Sequence, residues 1–210
     1  MRTSARLLGV FAAVVLGWTD RVCAAPSSLE DGGFEEDIRD YWQLNYGGEG
    51  GGTSGAAVST NLASAHSGKH SLILSVEPLP RARSHAWASV SQQAACSAGE
   101  HLTIQLWLRR ESATASTNAA AQGIIEYFED REYRQPICQH LRMTSNLSIA
   151  GLPREKWTKV ELADTVPGGA TMMRVSILLI ASGPSAGRQE IAVDDVKLAV
   201  TRPAAVREKK

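Results

Sequence analysis

The sequence predicts an all-β protein, an antiparallel β-sandwich of about nine strands in two packed sheets. Short runs rich in Val, Ile, Leu, Thr and aromatic residues recur along the chain with an alternation of period two. Clusters of Gly, Pro, Ser and Asn separate these runs, and no long stretch shows the periodicity of an amphipathic helix. Strands that follow one another without intervening helices pack as two antiparallel sheets.

The predicted strands are short and are spaced along almost the whole chain. They lie near 57–63, 70–76, 86–93, 101–110, 122–129, 133–141, 157–163, 172–181 and 189–200. The glycine-rich stretch 47–55 is predicted to be a flexible loop, because it lacks the lysine and the following helix of a phosphate-binding loop.

The first residues are typical of a secretory signal peptide. Arg2 and Arg6 give a basic start, 7–18 form an apolar stretch, and small residues precede a cleavage point after Ala24. Twelve apolar residues are too short to cross about 30 Å of hydrocarbon, although a retained membrane anchor is the alternative. We therefore expect a secreted protein, extracellular or periplasmic, made of a signal peptide (1–24), one β-sandwich domain (25–202) and a basic tail (203–210).

Charge and cysteine content narrow the possible partners and the compartment. Cleavage would leave 19 basic and 21 acidic residues, a net charge of about −2, which excludes the broad positive field needed to bind nucleic acid or an anionic membrane. Cys96 and Cys138 would remain in an oxidising environment, which suggests a disulfide. Closing a loop of about 42 residues would stabilise the fold by up to about 4 kcal/mol. Two separate buried thiols are the alternative, with a metal site near 138–140 a distant third.

Two strand segments show which side chains face away from the core. In 102–109 every even position is aliphatic, and in 86–93 the small apolar side chains alternate with a polar row, so one tryptophan in each segment is predicted to point outward. An aromatic side chain in a row of polar ones is typical of a sugar-binding surface, although a loop could instead cover both rings. The candidate ligand-binding residues are Trp87, Trp107, Arg109 and Gln93, with Tyr127 and Glu126 as second choices.

Seven short sequence motifs resemble those of a known family, and they extend across about residues 29–200. They are Gly32-Gly33-Phe34-Glu35 followed by Trp42, Ser67-Gly68-Lys69-His70-Ser71-Leu72, Val90-Ser91-Gln92-Gln93, Ala98-Gly99-Glu100, Leu106-Trp107-Leu108-Arg109, Trp157-Thr158-Lys159-Val160 and Val193-Asp194-Asp195-Val196. In order and spacing the chain resembles carbohydrate-binding modules of the family 4 and 9 type, a jelly-roll branch of the galactose-binding-like sandwiches. Relatives of this architecture also serve as structural or adhesive modules.

The resemblance implies a calcium ion that clamps the first strand to the last. Glu35 and Asp194 would be its side-chain ligands, with backbone oxygens near 67–69, and oxygen ligands of this kind suit calcium. The sequence offers separate support. In 191–200 the apolar, core-facing residues occupy odd positions before Asp194-Asp195 and even positions after it. Either the strand bulges there or a carboxylate points inward and needs a cation or strong donors. The alternative is that Asp194 and Asp195 lie at the edge of a sheet and form ion pairs with Lys or Arg.

Catalytic motifs are sparse in the sequence. There is no His-Glu-x-x-His and no Gly-x-Ser-x-Gly, and the acidic clusters fit the metal site better than glycoside cleavage. We therefore predict a monomeric, non-catalytic carbohydrate-binding module whose partner is a polysaccharide or oligosaccharide. A structural or adhesion module of the cell envelope without a sugar site is the alternative. A second alternative is a polysaccharide-degrading enzyme of sandwich fold, for which the candidates are Tyr127, Tyr133, His140 and Arg142.

Overall fold

The computed structural model describes residues 28–49, 52–59, 64–80, 84–129, 142–143, 147–184 and 187–202, with 142–143 described by their backbone alone. The predicted signal peptide and basic tail lie outside these residues, as do the predicted strand 133–141 and the candidates Tyr133, Cys138 and His140. No helix in the described part of the chain is long and apolar enough to cross a membrane.

The described chain is built almost entirely from β-strands, which confirms the predicted fold class. One short α-helix, α1 (Ile38–Tyr41), begins after Asp37, whose side chain accepts a hydrogen bond from the backbone N–H of Arg39 at 3.1 Å. A single turn of 3-10 helix spans Ile149–Gly151. The strands are β1 (Gln43–Glu49), β2 (Thr53–Ser59), β3 (Ser71–Glu77), β4 (His85–Ala95), β5 (His101–Arg110), β6 (Ala119–Phe128), β7 (Arg142–Met143), β8 (Leu147–Ser148), β9 (Thr158–Thr165), β10 (Met172–Ser182) and β11 (Gln189–Thr201).

The strands form two antiparallel sheets that pack face to face. Sheet A has the order β1-β4-β10-β6-β7, with β8 also paired to β6, and sheet B has the order β2-β3-β11-β5-β9. Strand β10 lies at the centre of sheet A, paired with β4 over eleven residues and with β6 over ten. Except for β2–β3 and β6–β7, strands that pair are not consecutive in the chain, so the sheet to which most strands belong depends on long-range pairing.

The core between the sheets follows the alternation expected from the sequence. The even-numbered aliphatic residues of β5, from Leu102 to Leu108, are at most 2% exposed, and Ala86, Ala88 and Val90 of β4 are fully buried. Burying one such Leu side chain contributes about 1.5–3 kcal/mol to folding. The odd-numbered residues of both segments therefore lie on the outer faces of their sheets.

Two segments needed the structure to be assigned correctly. The predicted glycine-rich loop is wrong, because Gly47 and Gly48 belong to β1 and Thr53 to Gly55 belong to β2. Gly47 pairs with Trp87 of β4, whose indole fills the space that a side chain at position 47 would take. The parity change in β11 is a bulge: the register with β5 shifts between Asp194 and Lys197, and Asp195 has a φ of 49°.

Candidate functional site

The outer face of sheet A carries a groove of about 300 Å³. Four adjacent strands, β1, β4, β10 and β6, contribute its ten lining residues, of which seven are polar. The lining residues are Gln43, Asn45, Trp87, Ser89, Ser91, Ile124, Glu126, Arg174, Ser176 and Leu178. The mixture of one large aromatic ring, two aliphatic side chains and many hydrogen-bonding groups is that of a small-molecule or glycan site.

Trp87 is the aromatic side chain of the groove, and its position depends on a glycine in the neighbouring strand. A Cβ built on Gly47 would lie 3.0 Å from Cε2 and Cζ2 of the indole and 3.1 Å from its Nε1. The half-buried ring therefore lies against the backbone of β1. Packing of this kind holds the ring in place while part of it borders the groove.

The floor of the groove is polar at its centre. Ser91 of β4 and Ser176 of β10 are directly paired across the two strands, and they are 3% and 9% exposed. Further along the same face, Ile180 pairs with Trp87 on one side and with Ala120 on the other. Ile180 and Ala120 line a second cavity of about 300 Å³, bordered also by residues 117–119, Ser148 and Ser182. The two cavities thus lie along one face, following β10.

An ion pair borders the groove at the opposite end of β10 from Ser182. Arg174 and Glu126 are directly paired across β10 and β6, and both Nε and Nη2 of the guanidinium lie 2.7 Å from Oε2 of the carboxylate. The guanidinium also lies over the ring of Phe128, 5.3 Å from its centroid. The two charges therefore cancel within the groove.

Three of the predicted ligand-binding residues lie on this outer face. Trp87 and Glu126 line the groove, and Gln93 extends the same row of β4, directly opposite Arg174. Sequence reasoning missed Arg174, Gln43 and Asn45. The polar Arg174 and Ser176 alternate with apolar residues in an otherwise hydrophobic strand. This alternation could have predicted that both side chains lie on the outer face of the sheet.

Trp107 and Arg109 lie elsewhere, on the outer face of sheet B, so these two candidates cannot share a binding surface with Trp87. Trp107 stacks on the His66 ring with a centroid distance of 4.1 Å and an interplanar angle of 18°. Arg109 bonds Glu111 through Nε at 2.7 Å and lies over the ring of Trp157, 4.9 Å from its centroid. The ring of His66 therefore covers one face of the Trp107 indole, and the arginine is engaged in contacts within the protein.

Tyr127 is also misplaced by the sequence prediction. It is 1% exposed and belongs to the core, and its hydroxyl lies 3.1 Å from Oδ2 of Asp164, to which it donates a hydrogen bond. Because neighbouring residues of a strand point to opposite faces, Tyr127 must face inward if Glu126 faces outward. Tyr127 is therefore neither a groove residue nor accessible to a glycan in the groove.

The two predicted calcium ligands both contact segment 64–70. Oε1 of Glu35 accepts hydrogen bonds from the backbone N–H groups of Lys69 and His70, at 2.7 and 3.0 Å. The backbone N–H groups of His66 and Ser67 donate to Oδ2 of Asp194 at 2.7 and 3.1 Å. These carboxylates thus hold the segment against the start of the domain and against β11.

The electrostatics of this region differ for the two carboxylates. Hydrogen bonds from the backbone of Lys69 and His70 lower the pKa of Glu35. Burial raises the pKa of Asp194, whose side chain is fully buried. Oδ1 of Asp194 accepts one hydrogen bond, from Asp195 N at 2.6 Å, and a Cβ on Gly33 would lie 3.9 Å from this oxygen and 3.7 Å from Cγ of Glu35.

A calcium ion is chemically compatible with these carboxylates. Each retains acceptor capacity, and calcium takes carboxylate and carbonyl oxygens. A cation would also offset the cost of burying the charge of Asp194. Among the described residues, no group of three or more His, Cys, Asp or Glu side chains is arranged to hold a metal, so backbone oxygens would have to complete the site.

Cys96, the first half of the predicted disulfide, is a buried cysteine directly after the end of β4. Burial raises the pKa of its thiol to about 12, and the nearby Glu100 carboxylate adds to this shift. Cys138 lies outside the described residues, so its pairing with Cys96 stays a prediction.

Comparison with known proteins gives a fold class. No protein-family model and no curated protein matches the sequence. The enzymatically active domain of tailspike protein 4 from bacteriophage CBA120 aligns with a TM-score of 0.57 and 17% identity, over 83% of this chain and 21% of that one. A structure of carbohydrate-binding modules of the β-sandwich superfamily, described as promiscuous in specificity, aligns with a TM-score of 0.56 and 15% identity, over 84% of this chain and 63% of that one.

This chain therefore spans about a fifth of the matched tailspike chain and under two thirds of the matched carbohydrate-binding chain. At these identities the similarity shows a shared fold. The protein has the two-sheet β-sandwich that carbohydrate-binding modules share.

Proposed function

We propose that this protein is a secreted, non-catalytic module that binds a polysaccharide or oligosaccharide in the groove on the outer face of sheet A. The observation that carries the proposal is the position of Trp87 beside a groove of about 300 Å³ in which seven of ten lining residues are polar. A sugar ring has an apolar face and a rim of hydroxyl groups, so it needs both an aromatic platform and hydrogen-bonding side chains.

The roles follow from the arrangement of the strands. Trp87 stacks on a sugar ring, and Gln43, Asn45 and Ser89 offer hydrogen bonds near that ring. The adjoining cavity along β10 gives room for further sugar units. The shared fold with carbohydrate-binding modules of promiscuous specificity supports glycans as the ligand class.

The buried position of Tyr127 removes one of the four residues that could support the alternative of catalysis. A lyase needs a tyrosine or histidine within hydrogen-bond reach of the substrate. The hydroxyl of Tyr127 lies in the core beside Asp164, on the far side of sheet A from the groove.

The test is affinity electrophoresis of the mature protein in gels that contain xylan, mixed-linkage β-glucan, mannan or galactan. We expect retardation by at least one of these polysaccharides and its loss in Trp87→Ala. Trp107→Ala is the matched control, because it removes an indole from the other sheet and should leave retardation unchanged. Equal retardation of wild type and Trp87→Ala, or loss only in Trp107→Ala, would refute the proposal.

We also propose that calcium stabilises the domain through Glu35 and Asp194. Such an ion would link the segment before α1 to β11, and it would supply the positive charge that the buried carboxylate of Asp194 needs. Its role is structural, because both residues lie on the sheet B side of the domain, near segment 64–70.

A further inference from the structure

We propose that Arg174 and Glu126 act together as one hydrogen-bonding unit that recognises two adjacent hydroxyl groups of a sugar ring and rejects sugar carboxylates. This inference deepens the proposed function, on which it rests, and it assigns a specificity role to the ion pair at one end of the groove.

The contacts within the pair leave one donor group and one acceptor free for a ligand. Nε and Nη2 of Arg174 both lie 2.7 Å from the same oxygen, Oε2 of Glu126. The described contacts therefore leave Nη1 of the arginine and Oε1 of the glutamate for a ligand. Both side chains are about one third exposed, 33% for Arg174 and 29% for Glu126, and both line the groove.

Neighbouring side chains keep the pair in a fixed position. Arg174 lies over the ring of Phe128, and Gln93 is its direct neighbour on β4. Both partners belong to long paired strands, β10 and β6, rather than to loops. A positioned guanidinium loses little conformational entropy when it binds a ligand.

The free groups match two neighbouring hydroxyl groups on one sugar ring. One hydroxyl accepts a hydrogen bond from Nη1, and the next donates one to Oε1. Hydrogen bonds to charged groups are stronger than those between neutral groups, so this edge of the groove should contribute strongly to binding.

The same pairing works against acidic sugars. An unpaired arginine binds a carboxylate through two parallel hydrogen bonds. Here Glu126 already occupies the Nε and Nη2 side of Arg174, and a second carboxylate beside it would be repelled. Glu126 therefore makes the groove selective for uncharged sugars.

The experiment compares Glu126→Gln, Arg174→Gln and the double variant with wild type, using the neutral polysaccharide that wild type binds and polygalacturonate. We expect wild type to bind only the neutral polysaccharide. Glu126→Gln should bind it at least tenfold more weakly and should gain binding to polygalacturonate that weakens with added salt. Arg174→Gln and the double variant should lose neutral binding without gaining acidic binding. Melting temperatures confirm that each variant is folded.

Two results would overturn the inference while leaving the groove intact as the binding site. One is binding of polygalacturonate by wild type. The other is a Glu126→Gln variant that binds the neutral polysaccharide as wild type does and still ignores polygalacturonate, in a protein whose Trp87→Ala variant has lost binding. If Trp87→Ala binds as wild type does, the groove itself is not the site, and both proposals fail together.

Discussion

Gly47 lies directly opposite Trp87 in the register between β1 and β4, and a Cβ at position 47 would approach the indole to 3.0 Å. Real Cβ atoms rarely come so close to another side chain, so the ring would have to move. The glycine therefore determines where the aromatic platform of the groove lies.

Gly47→Ala should weaken polysaccharide binding several-fold without unfolding the domain, because it displaces the Trp87 ring while leaving the β1–β4 pairing in place. Binding is measured by affinity electrophoresis, with intrinsic fluorescence reporting the indole environment. Gly55→Ala is the matched control, since its Cβ would lie 3.7 Å from Oγ of Ser75, an ordinary contact. Unchanged binding in Gly47→Ala would show that the position of the ring is not critical.

Trp107→Ala should destabilise the domain by about 2 kcal/mol, because the indole stacks on His66 and helps to hold segment 64–70. This loss is smaller than that for truncation of a fully buried tryptophan, because Trp107 is only half-buried. Urea denaturation measures the change. A variant of unaltered stability would mean that the stacking contributes nothing to folding.

Glu35→Gln should lower the stability of the domain in a pH-dependent way. The pKa of Glu35 is lowered from its ordinary value of 4.5, so its stabilising effect is present above pH 4.5 and is lost as the pH falls through the lower pKa of the folded state. Melting temperatures in EDTA should therefore differ between variant and wild type at pH 7, and this difference should shrink as the pH falls below 4.5. A difference that stays constant as the pH falls would point to packing rather than charge.

Millimolar calcium should raise the melting temperature relative to EDTA. A ligand at about one hundred times its Kd stabilises the folded state by about 2.7 kcal/mol. Asp194→Asn should abolish the response, whereas Glu36→Gln, which alters an exposed neighbour of Glu35, should retain it. The same melting temperature in calcium and EDTA for wild type would refute the metal site.

Cys96 should resist thiol reagents in the folded protein at pH 8, because burial raises its pKa to about 12 and blocks access. Titration with Ellman's reagent should detect it only after unfolding in denaturant. If thiols react in denaturant only after a reductant has been added, the predicted disulfide between Cys96 and Cys138 is present.

Local patterns were enough to predict most of the described strands, although not β1, and the buried faces of β4 and β5. The alternation from Leu102 to Leu108 identified the core side of β5, and the parity change at Asp194-Asp195 located the bulge of β11. Both features depend on residues close together in the sequence, where the two-residue period of a strand decides the side on which each side chain lies.

Long-range features could not be predicted in this way. Trp87 and Trp107 both point outward, yet β4 and β5 belong to different sheets although they are consecutive in the chain. Gly47 and Gly48 resemble loop residues until the indole of Trp87 is placed beside them. The pairing of Arg174 with Glu126 likewise exists only because β10 inserts between β4 and β6.

The central position of β10 makes the floor of the groove rigid. The backbone of β10 is hydrogen-bonded to a neighbouring strand on both sides along nearly its full length. The floor is therefore preorganised before a ligand binds, and little conformational entropy is lost on binding. Specificity for one ligand over another then depends on the outward-facing side chains that line the groove. Substituting those few residues should change the ligand specificity without altering the hydrophobic core.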